Sequence, residues 1–118
     1  MLCDTNILIA YLNGEQGIAH MLHDSKKQLY ISAITVIEVL AFPKLSKQEI
    51  DIIQAFLQSF EIVDLDTKLA LDAAFLCRRY KLKAPDSIIA ATGLILGIPL
   101  ATRDKAFKKV KNLEVMEM

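Results

Sequence analysis

Short apolar runs alternate along the chain with longer segments in which apolar residues recur every three or four positions. The short runs predict strands at residues 2–3, 28–31, 61–64, 100–102 and 113–116, and the longer segments predict helices at 5–12, 15–26, 32–42, 46–59, 66–80, 85–97 and 105–109. Strands that alternate with helices favour parallel crossovers and a sheet covered on both faces. The pattern therefore predicts an α/β fold.

Helix start and stop residues support these boundaries. Ser46 is followed three residues later by Glu49, the spacing of a capping box that opens a helix. Asp66 precedes the longest helical segment as an N-cap, and Pro43 ends the segment before it.

Composition limits the class of protein. A chain of 118 residues amounts to about one domain, and an apolar share of 53% allows a doubly covered sheet or a subunit interface. Cys3 and Cys77 form no disulfide framework, and we find no secretory signal. The uncharged run from Ser87 to Thr102 has 16 residues, fewer than the roughly 18 that a membrane span needs. We therefore expect a reduced, cytoplasmic protein.

Charge is distributed unevenly although the net charge is zero, a value that by itself argues against a nucleic-acid partner. Residues 1–77 carry five basic and ten acidic residues, a net charge of −5, whereas residues 78–111 carry nine basic and two acidic residues, a net charge of +7. Such asymmetry suits a polyanion-facing surface. The candidate phosphate contacts are Arg78, Arg79, Lys81, Lys83, Arg103 and Lys105. The first four could instead be solvent-exposed cations at the end of a helix, where positive charge interacts favourably with the helix dipole.

Acidic residues follow two of the predicted strands. Asp4 comes directly after the first strand, and Asp104 follows the strand at 100–102. In open parallel sheets, ligands bind beyond the carboxyl ends of the strands. Asp86 falls in the first turn of a predicted helix. Each of these acids could also serve only as a helix cap or a first-turn acid.

Glu38 fits the capping interpretation less well. It lies inside an apolar helix, where its same-face neighbours are Ile34, Thr35, Ala41 and Phe42. No lysine or arginine stands three or four positions away, and burial of an unpaired carboxylate is costly. A metal ion or a basic side chain from another element would compensate it, unless Glu38 faces solvent.

Four acids near one edge of a parallel sheet suit the oxygen-loving cations Mg²⁺ and Mn²⁺. Such a metal lowers the pKa of a bound water molecule and neutralises charge that grows on a phosphate oxygen. Asp4, Glu38, Asp86 and Asp104 are therefore the candidate metal-binding and catalytic residues.

Four segments carry a family resemblance. Residues 1–9 (Met-Leu-Cys-Asp-Thr-Asn-Ile-Leu-Ile) resemble the opening of the PIN-domain family, and residues 32–38 resemble its Ser-x-x-Thr-x-x-Glu helix. Residues 84–92, which contain Pro-Asp-Ser, resemble its third acidic motif, and residues 100–104 its Thr-Arg-Asp ending. The motifs occur in family order over nearly the whole chain, and the compact size looks most like the VapC type of toxin ribonuclease.

The resemblance implies a three-layer α/β/α sandwich with a central, mainly parallel sheet, and a single PIN-like nuclease domain over residues 1–118. It also implies an Mg²⁺- or Mn²⁺-dependent endoribonuclease that acts on tRNA- or rRNA-like substrates, with a VapB-type antitoxin as partner and a homodimeric assembly. By motif position, the residues that orient the acids would be Thr5, Asn6, Ser32 and Thr102.

Other functions remain open from the sequence alone. The chain could be a stand-alone RNA-processing nuclease of the same fold, or a catalytically silent module that binds RNA or protein. An aspartyl-phosphate enzyme would require a second acid two residues after Asp4, where this chain has Asn6. His20 and His23 could share a helix face, but we interpret them as ordinary helix residues because no further ligands complete a zinc site.

Overall fold

The computed structural model describes residues 1–118 and contains one five-stranded sheet. The strands are β1 (Leu2–Cys3), β2 (Tyr30–Ser32), β3 (Glu61–Val63), β4 (Leu100–Thr102) and β5 (Val115–Glu117). The helices are α1 (Thr5–Leu12), α2 (Gln16–Asp24), α3 (Ala33–Leu40), α4 (Lys47–Leu57), α5 (Thr67–Tyr80) and α6 (Ala84–Leu96), with a 3₁₀ helix at Lys105–Lys109. The strand order is β3-β2-β1-β4-β5, and every neighbouring pair is parallel. The predicted α/β class and parallel sheet are confirmed.

Side chains of the sheet alternate between two apolar cores. Cys3 and Ala101 point to the face that α1, α2, α3 and α4 cover. Leu2 and Leu100 point to the opposite face, where they pack with α5, α6 and the fully buried Phe107 of the 3₁₀ helix. The fold is therefore an α/β/α sandwich of three layers, as expected.

Most predicted caps are present. The Ser46 hydroxyl accepts from the Glu49 backbone N–H at 3.1 Å, and the Glu49 carboxylate accepts from the Ser46 N–H at 3.0 Å, which completes the capping box. Asp66 caps α5 by accepting from the Leu69 N–H at 2.8 Å.

Several predicted boundaries differ from the observed ones. The segment 15–26 forms a shorter helix because Ser25 already has an extended backbone, with ψ of 120°. The strand predicted at 28–31 begins at Tyr30, which is the residue paired with Leu2 of the two-residue strand β1. The final strand begins at Val115, since its partner Leu100 is the first residue of β4. Strand ends are therefore set by the neighbouring strands, which local sequence does not reveal.

None of the helices combines the length and hydropathy that crossing a membrane demands.

Candidate active site at the carboxyl edge of the sheet

Asp4 and Thr102 meet at the carboxyl ends of the two central strands. The parallel register pairs Cys3 with Ala101. Asp4 and Thr102 are the next residues along the two strands, so they lie side by side. Thr102 Oγ1 donates to Asp4 Oδ2 at 2.6 Å, and the Thr5 N–H donates to Asp4 Oδ1 at 2.8 Å. Both bonds are buried. Asp4 is thus an N-cap of α1 and also part of a polar contact across the sheet.

Thr102 links Asp4 to a second acid. Its Oγ1 accepts from the Asp104 backbone N–H at 3.0 Å, while its own proton goes to Asp4. The Asp104 carboxylate is exposed, and its Oδ1 accepts from the Ala106 N–H at 2.9 Å as the cap of the 3₁₀ helix. One buried hydroxyl therefore fixes the segments that carry both acids.

Glu38 is held by a hydroxyl from α1. Thr5 Oγ1 donates to Glu38 Oε1 at 2.7 Å and lies 2.9 Å from Thr35 Oγ1, so the Thr35 hydroxyl donates to Thr5. The fully buried Thr35 and Val39 mark the packed face of α3, whereas Glu38 itself is only half-buried. Phe42, which the helical pattern placed on the same face as Glu38, is 60% exposed because α3 ends before it.

The four acids act on one another electrostatically. Burial is the main reason why the pKa of Asp4 is raised to about 6, and the hydrogen bonds from Thr102 and Thr5 oppose that increase. The negative charges of Asp86 and Asp104 raise this pKa further. Burial also raises the pKa of Asp86, with added contributions from Asp104 and Glu38 and an opposing one from Lys83. The four carboxylates therefore lie near enough to one another for their charges to interact.

This donor set fits a hard divalent cation. No three His, Cys, Asp or Glu side chains stand close enough to form a ready-made ligand cage. Mg²⁺ does not need one, because it retains several water ligands and binds through one or two carboxylates. Each oxygen of Asp4 already accepts one hydrogen bond, and a carboxylate oxygen keeps a second lone pair for a cation. The mutual repulsion of the acids would be relieved by positive charge at this position.

Motif position also predicted that Asn6 and Ser32 orient the acids, but their surroundings differ from those of Thr5 and Thr102. Asn6 Oδ1 accepts from the Arg103 backbone N–H at 3.4 Å, which joins α1 to the turn after β4. Ser32 caps α3 by accepting from the Ile34 N–H at 3.2 Å, and its hydroxyl makes no hydrogen bond to any of the four acids. Thr35 orients Thr5, a role that the sequence reading did not assign. Its position one helical turn before Glu38 is the signal that could have indicated it.

The predicted phosphate contacts are all exposed, namely Arg78, Arg79, Lys81, Lys83, Arg103 and Lys105. Arg103 differs from the others because its guanidinium forms a bidentate ion pair with Glu15, at 2.8 and 2.9 Å. Tyr80 packs on the core beside α6, and its hydroxyl accepts from the Lys111 N–H at 3.1 Å. Tyr80 therefore has a packing role.

Fold and site together define an α/β protein with acidic residues at the carboxyl edge of a parallel sheet. The sequence model of the PIN domain matches residues 1–113. The chain therefore belongs to the PIN-domain family. No curated protein matches the sequence.

Solved structures with the same fold cover almost the whole chain. A chain of a toxin-antitoxin complex from Klebsiella pneumoniae is 32% identical, with a TM-score of 0.85 over 99% of this chain and 98% of that one. A chain of FitAcB from Neisseria gonorrhoeae is 25% identical, with a TM-score of 0.80 over 98% and 96% of the two chains. A chain of VapBC2 from Rickettsia felis, bound to a promoter DNA fragment, shares the fold at 22% identity and a TM-score of 0.85 over 99% and 97%.

Proposed function

We propose that this protein is a metal-dependent endoribonuclease and the toxin of a VapBC-type toxin–antitoxin pair. The observation that carries the proposal is the Thr102 hydroxyl that joins Asp4 to the backbone of Asp104 at the carboxyl edge of the sheet. The charges of Asp86 and Glu38 also act within this group of acids. Membership of the PIN-domain family and the likeness to a toxin–antitoxin complex support it. The bound ion would be Mg²⁺ or Mn²⁺, which these carboxylates suit.

Each residue of the site has a task in this proposal. Asp4, Glu38, Asp86 and Asp104 would hold the ion, which when bound lowers the pKa of a water molecule and offsets charge on the scissile phosphate. Thr102 and Thr5 keep the carboxylates of Asp4 and Glu38 in fixed orientations through the bonds described above.

Basic side chains would hold the RNA strand beside these acids. Arg78, Arg79, Lys81 and Lys83 are exposed near the start of α6, the helix whose first turn contains Asp86. Their contacts with backbone phosphates would position RNA without reading its sequence. Lys105 is exposed one residue after Asp104 and would act in the same way.

An apolar groove supports an antitoxin as protein partner. It is lined by Ile9 and Leu12 of α1, Val39 of α3, and Ile52 and Ile53 of α4, with Phe42 and Leu45 between these helices. Ile52 and Phe42 are 61% and 60% exposed, so a partner segment that covers them would bury apolar surface. A VapB-type antitoxin would occupy this groove in the proposed pair.

Incubation of the pure protein with labelled tRNA and rRNA tests the proposed activity. We expect cleavage with Mg²⁺ or Mn²⁺ and none with EDTA, because the carboxylates alone supply no activated water. Restoration of cleavage when excess Mn²⁺ is added back serves as the control for irreversible damage. Undiminished cleavage in EDTA would exclude the metal-dependent mechanism.

We also propose a homodimer in the cytoplasm. Leu71 and Phe75 of α5 and Ile95 of α6 are 67%, 55% and 51% exposed, which leaves apolar surface for a second copy to bury. Sedimentation equilibrium at micromolar to tens of micromolar protein is expected to give the mass of a dimer. A monomer throughout that range would contradict this assembly.

A further inference from the structure

The ion pair between Arg103 and Glu15 joins two distant parts of the chain at the rim of the acidic site. Glu15 stands at the start of α2, and Arg103 lies in the turn that follows β4. Arg103 Nη1 and Nη2 donate to Glu15 Oε2 and Oε1 at 2.8 and 2.9 Å. Both side chains remain 40–47% exposed, so the pair contributes little to stability by itself.

The pair is of interest for its position, because Arg103 lies next to residues of the acidic site. Arg103 stands between Thr102, whose hydroxyl bonds Asp4, and Asp104. Its backbone N–H bonds Asn6 Oδ1, two residues after Asp4. Arg103 is thus bonded to or adjacent to the segments that carry Asp4 and Asp104, and guanidinium groups bind carboxylates through paired hydrogen bonds.

The guanidinium nevertheless forms no ion pair with these acids. Both of its terminal nitrogens are engaged by Glu15. The positive charge that acts on Asp86 comes from Lys83, and burial, two hydrogen bonds and the other acids set the pKa of Asp4. The charge of the Arg103 guanidinium therefore compensates neither Asp4 nor Asp86, although the arginine lies beside them in the fold.

We propose that Glu15 is a positioning residue, which holds Arg103 away from the acidic site and so leaves the carboxylates accessible to a divalent cation. The inference rests on the proposed function, because it assumes that the four acids bind a metal. Without Glu15, the guanidinium would be drawn to the acids as a tethered competitor and would weaken metal binding. A competitor that stabilises the metal-free state lowers the apparent affinity for the metal.

Thermal melts in EDTA and across a Mn²⁺ titration test this inference without measuring activity. The proteins compared are the parent, Glu15→Gln, Arg103→Met, the Glu15→Gln/Arg103→Met double variant and a Glu15→Gln/Lys68→Met double variant. The last is the matched control, because it restores the net charge while Arg103 is retained. Lys68 is paired with Asp72 on α5, and it lies near the end of α6 opposite to Asp86.

We expect Glu15→Gln to raise the apparent Mn²⁺ dissociation constant about threefold to fivefold, the factor that one exposed arginine–carboxylate interaction accounts for. Arg103→Met and the Glu15→Gln/Arg103→Met variant should bind Mn²⁺ as the parent does, and the Lys68 control should remain as weak as Glu15→Gln. Parental binding by Glu15→Gln, or equal recovery in the two double variants, would overturn the inference and leave the proposed function standing. Absence of any Mn²⁺ shift in the parent would overturn both.

Discussion

Replacement of Asp4 by asparagine is expected to reduce RNA cleavage at least about hundredfold, since a metal ion supplies several kcal/mol of transition-state stabilisation. The same replacement should make the metal-free protein more stable. Asparagine still accepts from the Thr5 N–H, and the Thr102 hydroxyl can rotate to accept from its amide. The buried negative charge is removed, together with its repulsion from Asp86 and Asp104. A residue needed only for folding would not combine a loss of activity with a gain in stability.

The stability gain has a defined pH dependence. Because the pKa of Asp4 is raised from 3.8 to about 6 in the folded state, the folded protein binds this proton more tightly than the unfolded chain. The contribution of Asp4 to the stability of the metal-free parent therefore falls as pH rises from about 4 to about 6 and is fully lost above that range. The gain in Asp4→Asn should be absent below pH 4 and reach at most about 3 kcal/mol above pH 6, by 1.36 kcal/mol per pKa unit.

Urea denaturation in EDTA at several pH values, together with cleavage assays in Mn²⁺, measures both effects. Asp51→Asn is a suitable control because Asp51 is an exposed acid on α4. It should alter neither quantity appreciably. An Asp4→Asn protein that cleaves RNA like the parent, or that is less stable at pH 7, would contradict the role assigned to this carboxylate.

Replacement of Thr102 by valine is expected to have the second largest effect. The change removes the buried hydroxyl that donates to Asp4 and accepts from the Asp104 N–H. Loss of a group that orients a metal ligand typically reduces metal affinity or activity about 10- to 100-fold. An unsatisfied buried hydrogen-bonding group also costs about 1–3 kcal/mol, so the free energy of unfolding should fall by that amount.

Thr102→Ser separates the role of the hydroxyl from that of the methyl group. Serine keeps the hydroxyl, so it should retain most of the metal affinity and lose only packing in the fully buried strand β4. Cleavage rates and Mn²⁺-induced melting shifts of both variants give the measurement. If valine and serine reduce metal affinity equally, the hydroxyl does not position Asp4.

The sequence predicted the fold well because its signals are local. Alternating strand and helix patterns, the Ser46–Glu49 capping box and the Asp66 cap need only neighbouring residues. The position of Asp4 and Asp104 after their strands also followed from a local pattern, once the sheet was taken to be parallel. The first and last residues of each strand were harder to predict, because they depend on which strand lies beside it.

Contacts between distant segments could not be predicted from these patterns. The Glu15–Arg103 pair joins residues 88 positions apart, and the Thr5–Glu38 bond joins residues 33 apart. The hydrogen bond from Thr5 to Glu38 was not predicted for the same reason, because this hydroxyl lies on α1 and no pattern within α3 reveals it. Periodicity identifies which face of a helix packs, but not which polar group meets it there.

The bond between Thr102 and Asp4 spans 98 positions and therefore constrains when the site can form during protein synthesis. Asp4 is synthesised 98 residues before Thr102, and Asp104 follows two residues later. The central strand β1 has its second neighbour, β4, only at that stage. A nascent chain that ends just before β4 contains three of the four acids of the site, Asp4, Glu38 and Asp86, but lacks the hydroxyl that orients the first of them. The acidic site can therefore assemble only after β4 has been synthesised, long after the first of its acids.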